Sequence, residues 1–174
     1  LNLKQFSMRI LIPTDFSELS KVAIQYAVDM GKDLEVNIML LHVIDTSAPS
    51  RARVGSHKLQ EAIKTSSERA VKELLAAIKK DISYNIDISY EITSGTSIGK
   101  YVEMAAVKND IDIVCIGTKG ASGLKKILFG SNAASIIESS SIPVLTIPEF
   151  ARYKGVKNIV YSSDFYNLEK ELDL

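Results

Sequence analysis

Three glycines and a serine between residues 117 and 131 have the spacing of a loop that could bind phosphate. Gly117 ends an apolar run, Gly120 follows three residues later, and Gly130 and Ser131 come directly before an amphipathic segment. Glycine lets a backbone approach a ligand closely and adopt positive φ angles. The first turn of a helix offers free N–H groups and the positive end of the helix dipole. The pattern therefore predicts a nucleotide phosphate site where this loop enters a helix.

Predicted strands and helices alternate along the chain and hold the two ends of this loop. Between Ser17, a favourable N-cap, and Gly31, a favourable stop, apolar residues recur at the spacing of an amphipathic helix. A longer helix is expected over residues 59–80, with Leu59 and Ile63 on its buried side. Shorter helices are expected over 98–107 and 131–139. Short apolar runs predict strands over 9–14, 35–43, 87–93, 110–117 and 142–147.

This alternation predicts an α/β fold, a doubly wound open parallel five-stranded sheet in the order 3-2-1-4-5 with helices on both faces. The order reverses between strands 1 and 4, and ligands bind outside the carboxyl ends of the strands at such a point. Asp15 follows strand 1 and Gly117 ends strand 4, so both are expected at this crevice. Pro143 cannot donate to a ladder, which makes strand 5 (Ile142 to Ile147) an edge strand able to pair with another copy.

The tail of the chain resembles its beginning. At an offset of 149 residues Asp15 matches Asp164 and Phe16 matches Phe165, within a longer stretch of similar sequence. We therefore expect a nucleotide-binding domain over residues 8–148, a linker over 149–156, and the start of a truncated second repeat over 157–174. The alternative is a C-terminal appendage packed on the domain.

Composition and charge exclude several classes of protein. Lys plus Arg and Asp plus Glu number 21 each, which argues against a dedicated nucleic-acid binder. The single cysteine, Cys115, cannot form an internal disulfide and lies in an apolar run, where a core role is expected. No apolar run has the length of a membrane span, and the first residues lack the pattern of a signal peptide. We expect a cytoplasmic protein without nucleic-acid or membrane partners.

The glycine pattern G-x2-G-x9-G-[ST] occurs here between a predicted strand and a predicted helix. Together with ILIPTDFS near the start, LLHV in the second strand and IPVLTIP at the end, it resembles the universal stress protein family over residues 8–148. The glycine pattern marks the ATP-binding branch of that family, and tandem members occur in it. The resemblance implies an ATP-binding domain with a regulatory or sensor role in stress response, forming a homodimer or pseudo-dimer through strand 5. Mg²⁺ would be supplied alongside the nucleotide, because it prefers phosphate oxygens and water to a protein cage.

The resemblance also implies a role for particular residues. Adenine and ribose would lie beside the end of strand 1 and the backbone of strand 2, while ribose and phosphates would lie on the glycine loop and the helix after it. The residues so assigned are Pro13, Thr14, Asp15, Val43, Gly117, Gly120, Gly130, Ser131 and Asn132.

Simpler interpretations of these residues stay open at this point. Asp15 could cap the first helix, Gly130 with Ser131 could be only a helix cap, and Lys119 could be solvated. His42 is expected to be a hydrogen-bonded core residue rather than a base or ligand. The domain could instead be an interaction module that binds no nucleotide, or a slow nucleotide hydrolase. We identify no residue placed to act as a catalytic base, so we assign no catalytic residues and no metal ligands; slow hydrolysis or autophosphorylation, for example at Ser131, stays open.

Overall fold

Strands and helices alternate along the chain in the computed structural model, which describes residues 7–46, 56–82, 84–119 and 130–160. Within these residues five strands and four helices follow one another. They are β1 (Met8–Pro13), α1 (Glu18–Met30), β2 (Val36–Asp45), α2 (Ser56–Asp81), β3 (Asp87–Gly95), α3 (Ile98–Lys108), β4 (Ile113–Thr118), α4 (Ser131–Ser139) and β5 (Val144–Pro148).

The five strands form one parallel sheet in the order β3-β2-β1-β4-β5. This confirms the predicted fold class, the strand order and the edge position of β5. Helices α1 and α2 pack on one face, in a cluster with Ile12, Ile38 and Cys115. Helices α3 and α4 pack on the other face, in a cluster with Leu11 and Val114. The central strands are therefore buried on both faces, as expected for parallel sheets.

Element boundaries follow local backbone chemistry. Ser17 caps α1 by accepting a hydrogen bond from the Ser20 amide, and the helix ends at Gly31, as predicted. The bounds of α4 are those predicted. Strand β4 begins at Ile113 instead of 110, because Asp110 has a φ of 47° and forms the turn after α3. A strand can begin only beyond such a left-handed residue.

Helix α2 extends past the sheet at its N-terminal end. Residues 57–66 are all exposed, so the prediction that Leu59 and Ile63 are buried is wrong. A helix of 26 residues is about 39 Å long, whereas nine residues of β3 span only about 30 Å. Although α2 is long, neither it nor another helix in the described part of the chain is both long and apolar enough to cross a bilayer.

Residues 151–155, here called the return segment, lie against α1 after β5. The Ala151 amide donates to the Pro148 carbonyl at 2.8 Å and starts the turn. The Tyr153 ring meets the Tyr26 ring edge-on, with centroids 5.5 Å apart. Partial burial and a hydrogen bond with Asp33 raise the pKa of the Tyr153 hydroxyl. Part of the predicted linker therefore packs on the domain.

Candidate functional site

A cavity of about 300 Å³ opens at the carboxyl ends of β1 and β4. This is the point where the strand order reverses, which is where open α/β sheets bind ligands. Its apolar wall consists of Pro13, Leu19, Ile98, Ile116, Ala133 and Ile136. The remaining lining residues are Thr14, Asp15, Ser17, Ser20, Gly117, Thr118, Lys119, Gly130, Ser131 and Asn132.

The turn between β1 and α1 is held by short-range hydrogen bonds. The Asp15 Oδ1 atom accepts from the Ser17 amide at 3.0 Å, and Ser17 then caps α1. The Thr14 and Ser20 hydroxyls lie 3.1 Å apart, and the Ser20 hydroxyl donates to the Ser17 carbonyl at 2.9 Å. Thr14 and Ser20 are buried, whereas Asp15 is exposed at the cavity. The turn therefore presents one carboxylate to the cavity on a rigid support.

The Asp15 carboxylate is stabilised in its charged form. Partial burial raises the pKa of Asp15, but hydrogen bonds from Ser17, its own amide and Ser20 outweigh it and lower the pKa below its ordinary value. Asp15 is therefore an anion at neutral pH and accepts hydrogen bonds only. It both braces the start of α1 and offers an acceptor to a ligand hydroxyl.

The N-terminus of α4 faces the cavity without a side-chain cap. Gly130 is the N-cap residue and makes no side-chain hydrogen bond, and the helical ladder begins with the Ala134 amide donating to the Gly130 carbonyl at 3.0 Å. The amides of Ser131, Asn132 and Ala133 precede that bond and have no carbonyl of an earlier turn to bind. By contrast, α1 is capped by Ser17. The first-turn amides and the dipole of α4 make its end the electropositive side of the cavity.

The described residues leave the space beside Gly130 open. A Cβ atom built at Gly130 would meet no atom of the described residues within 4 Å, and its φ of −60° is one that any residue adopts. Glycine is therefore not demanded here by packing or backbone geometry. Among the described residues nothing fills the Cβ position of this N-cap residue, next to the first turn of α4, so an anion could occupy that space.

Gly117 has a different reason to be glycine. A Cβ atom there would lie 2.1 Å from the Leu19 carbonyl oxygen in the first turn of α1. Gly117 thus lets β4 pack directly against α1 and draws the two sides of the cavity together. In the described structure the absence of a side chain at Gly117 permits this close packing, in addition to any contact with a ligand.

The structure brings together seven of the nine residues assigned from the sequence. Pro13, Thr14, Asp15, Gly117, Gly130, Ser131 and Asn132 all line the cavity. Val43 lies on β2, two residues beyond Leu41, the register partner of Pro13, but is not among the lining residues. Gly120 lies outside the described residues.

Sequence reasoning missed part of the wall. Ile98 and Leu19 belong to the apolar stripes of α3 and α1, which would ordinarily face the core, yet both line the cavity from the first turns of their helices. Thr118, which is buried, lines it from the last residue of β4. Only the predicted parallel sheet could have revealed them, since it places every βα junction at the same edge.

The cavity combines an anion-binding end with an acceptor end. The α4 amides and the exposed Lys119 provide positive potential, and Asp15 provides a carboxylate. Within the ranges that the structure describes, no group of three His, Cys, Asp or Glu side chains could hold a metal ion. The arrangement suits a ligand that carries a phosphate at one end and hydroxyl groups at the other.

The chain has relatives of known family. The pattern of the universal stress protein family matches residues 7–148. Universal stress protein MJ0531 of Methanocaldococcus jannaschii is 30% identical over 141 residues, which cover 80% of this chain and 81% of the relative. The solved structure of protein MJ0577 of the same organism has a TM-score of 0.62 at 27% identity, and the match covers 81% of this chain and 95% of that one.

A more distant structure shows the same fold. It is the universal stress protein from Archaeoglobus fulgidus in complex with dAMP, with a TM-score of 0.55 at 13% identity, covering 82% of this chain and 98% of that one. The parallel sheet, the cavity at its switch point and the family match over residues 7–148 agree with one another. The chain belongs to the universal stress protein family.

Proposed function

We propose that this domain binds ATP, with Mg²⁺ carried on the phosphates, and acts as a regulator or sensor in stress response. The observation that carries the proposal is the uncapped N-terminus of α4 at Gly130, which faces the cavity across open space. A helix end of this kind favours a phosphate. The dAMP complex of the Archaeoglobus fulgidus relative supports an adenine nucleotide as the ligand.

Each end of the nucleotide has its own set of partners in this proposal. The phosphates lie on the amides of Gly130, Ser131 and Asn132, and the Ser131 hydroxyl donates to a phosphate oxygen. The Asp15 carboxylate accepts from a ribose hydroxyl, for which its ionised state is suited. Pro13, Thr14 and the Val43 backbone flank adenine, and Gly117 and Gly120 bring the loop close to the ribose and phosphates.

Calorimetry on the purified chain tests the proposal directly. ATP with Mg²⁺ should bind, and tripolyphosphate alone should bind more weakly because it lacks adenine and ribose. Absence of heat at millimolar ATP would rule the proposal out. GTP in place of ATP provides the control for recognition of the base. Equal affinity for ATP and GTP would indicate that the cavity binds the phosphates but does not recognise adenine.

The regulatory role rests on what phosphoryl transfer requires. Transfer needs a base or a group that orients water, besides a cradle for the phosphates. Asp15, the carboxylate in the described lining, is already bonded to the Ser17 amide at the start of α1. We therefore expect release of inorganic phosphate from ATP far below about 1 per second, a rate ordinary for enzymes. A faster rate would reassign the domain as a hydrolase.

Pairing through β5 is the second part of the proposal. Because the Val114 amide donates to the Pro143 carbonyl, the backbone groups of residues 143 and 145 face β4, and those of Val144 and Thr146 face outward. A row of outward-facing backbone N–H and C=O groups on an apolar edge strand can pair with the same strand of a second copy. Thr146→Pro removes one outward N–H without removing a bond to β4, so it should shift a dimer to monomer in light scattering. Thr146→Val is the control that keeps the dimer.

The third part concerns residues 157–174, which we propose are the start of a second repeat. The support is the match of residues 158–170 to residues 9–21 at a constant offset. An antibody raised against this chain should then detect, in the source cells, a protein longer by one further domain. A product that ends with this sequence would show that the segment is an appendage.

A further inference from the structure

His42 lies outside the cavity lining, yet it contacts the turn that carries Asp15. Its Nδ1 atom is 2.8 Å from the Thr14 carbonyl oxygen. Because a carbonyl oxygen only accepts, Nδ1 carries the proton and donates it to this bond. The imidazole also lies against the Phe16 ring, with centroids 4.6 Å apart and planes inclined at 40°. His42 therefore holds the turn at two points on either side of Asp15.

The turn needs such support because its backbone is unusual. Phe16 has a φ of 64°, a left-handed conformation that is rare for a bulky residue. A residue keeps such a strained conformation only when several surrounding contacts hold it there, and residues of this kind cluster at functional sites. The Phe16 amide donates to the Thr14 hydroxyl at 3.1 Å, and the His42 ring covers the Phe16 side chain. Both contacts favour the strained conformation over a regular strand.

His42 also acts where the ladder between β1 and β2 stops. The Thr14 amide donates to the Leu41 carbonyl at 2.9 Å, so the Leu41 backbone faces β1. Since backbone direction alternates along a strand, the backbone of Val43 faces the same side. In a continued parallel ladder the Val43 amide would donate to the Thr14 carbonyl. That carbonyl accepts from His42, and the backbone hydrogen bonds of the described residues include none from the Val43 amide to it.

We propose that His42 is a positioning residue for the nucleotide. By bonding the Thr14 carbonyl, its imidazole ends the β1–β2 ladder one step early and leaves the Val43 N–H free to donate to a ring nitrogen of adenine. The same contacts hold Asp15 at the cavity. This inference rests on the proposed function, in which the Val43 backbone contacts adenine.

Amide exchange of Val43 tests the inference without any nucleotide. In the unchanged protein the Val43 amide should exchange at least about tenfold faster than the Leu41 amide, which lies within the ladder. In His42→Leu the Thr14 carbonyl loses its donor, so the Val43 amide should join the ladder and slow by about the same factor. In His42→Asn the side-chain amide can replace Nδ1–H, and Val43 should stay fast. A Val43 amide that is already as slow as Leu41 in the unchanged protein overturns the inference.

Nucleotide affinity gives the second measurement. We expect His42→Leu to weaken ATP binding about tenfold, the loss of roughly one well-placed hydrogen bond. His42→Asn should stay within about twofold of the unchanged protein, because it keeps that donor. His57→Leu is the matched control, since His57 is exposed on α2 and pairs with Glu61 at 3.7 Å. Equal losses in the Leu and Asn variants would show that the hydrogen bond is not the cause and would refute the positioning role.

The amide-exchange and affinity measurements together distinguish failure of this inference from failure of the proposed function. If the unchanged protein binds no ATP, the proposed function is wrong, but the exchange of Val43 still decides whether His42 ends the ladder. If ATP binds and Val43 exchange does not respond to His42→Leu, only the role of His42 falls.

Discussion

Replacing Gly130 by valine isolates the end of α4 as the source of phosphate affinity. The new side chain would occupy the open space in front of the Ser131 and Asn132 amides, where a Cβ atom meets no described atom within 4 Å. The backbone needs no change, since the φ of −60° suits valine. The variant should therefore fold normally and still lose the position of one phosphate group.

The expected size of the effect follows from the amides that are blocked. Hydrogen bonds to a charged group contribute about 1.5–3 kcal/mol each. Loss of two of them amounts to at least about 3 kcal/mol, which is more than about a hundredfold in Kd. Valine is a poor N-cap residue, so the free energy of unfolding should fall by about 1 kcal/mol at most. That corresponds to a decrease of about 2–4 °C in Tm.

Calorimetry and thermal melting on the same preparation give both values. Gly130→Ser is the informative comparison, because serine can cap the α4 amides itself. It should raise Tm slightly while weakening ATP binding, as its hydroxyl competes with the phosphate. ATP affinity within a factor of about three of the unchanged protein in Gly130→Val would refute the assigned phosphate position, since it would mean a loss below 1 kcal/mol.

The packing of the domain leads to three further predictions. Gly117→Ala should lower the free energy of unfolding by about 2–3 kcal/mol in urea titration, because the new Cβ clashes with the Leu19 carbonyl. Gly130→Ala is the control, since its Cβ meets no described atom, and it should change that free energy by less than about 1 kcal/mol. Tyr153→Ala should cost about 2 kcal/mol, since it removes a half-buried aromatic ring, and Tyr153→Phe less than about 1 kcal/mol, since it keeps the ring; equal losses would contradict the ring packing. Burial raises the pKa of the Cys115 thiol to about 12, so a thiol reagent at pH 8 should react only as the protein unfolds. Immediate labelling of native protein would contradict that burial.

Features encoded close together in the sequence were predictable. The cap at Ser17, the stop at Gly31 and the start of α4 at Ser131 each depend on one or two residues and their immediate neighbours. The strand order followed from the alternation of strands and helices together with the preference for right-handed connections. Because the order fixes the switch point, the presence of Asp15 and Gly130 on one cavity could also be predicted.

Contacts between distant backbones could not be predicted in the same way. The sequence suggested a ligand as the reason for Gly117, whereas the structure shows the Leu19 carbonyl in the way of any Cβ. Gly99 is similar, since a Cβ there would lie 2.3 Å from the Ser135 carbonyl where α3 meets α4. The period of α2 predicted Leu59 on the buried side, yet Leu59 is exposed, because no periodicity tells how far a helix extends beyond its sheet.

The contact of Tyr153 with Tyr26 also bears on how the protein should be divided for experiments. The family match ends at residue 148, and a fragment cut at that boundary would leave the flank of α1 bare. In that fragment the Tyr26 ring would lose its edge-on contact with Tyr153, and the neighbourhood of Asp33 would lose the Tyr153 hydroxyl. Low solubility or a depressed melting point in such a fragment would then reflect where it was cut. Recombinant versions should extend at least through Gly155, which has a φ of 79° and lies near Asp33.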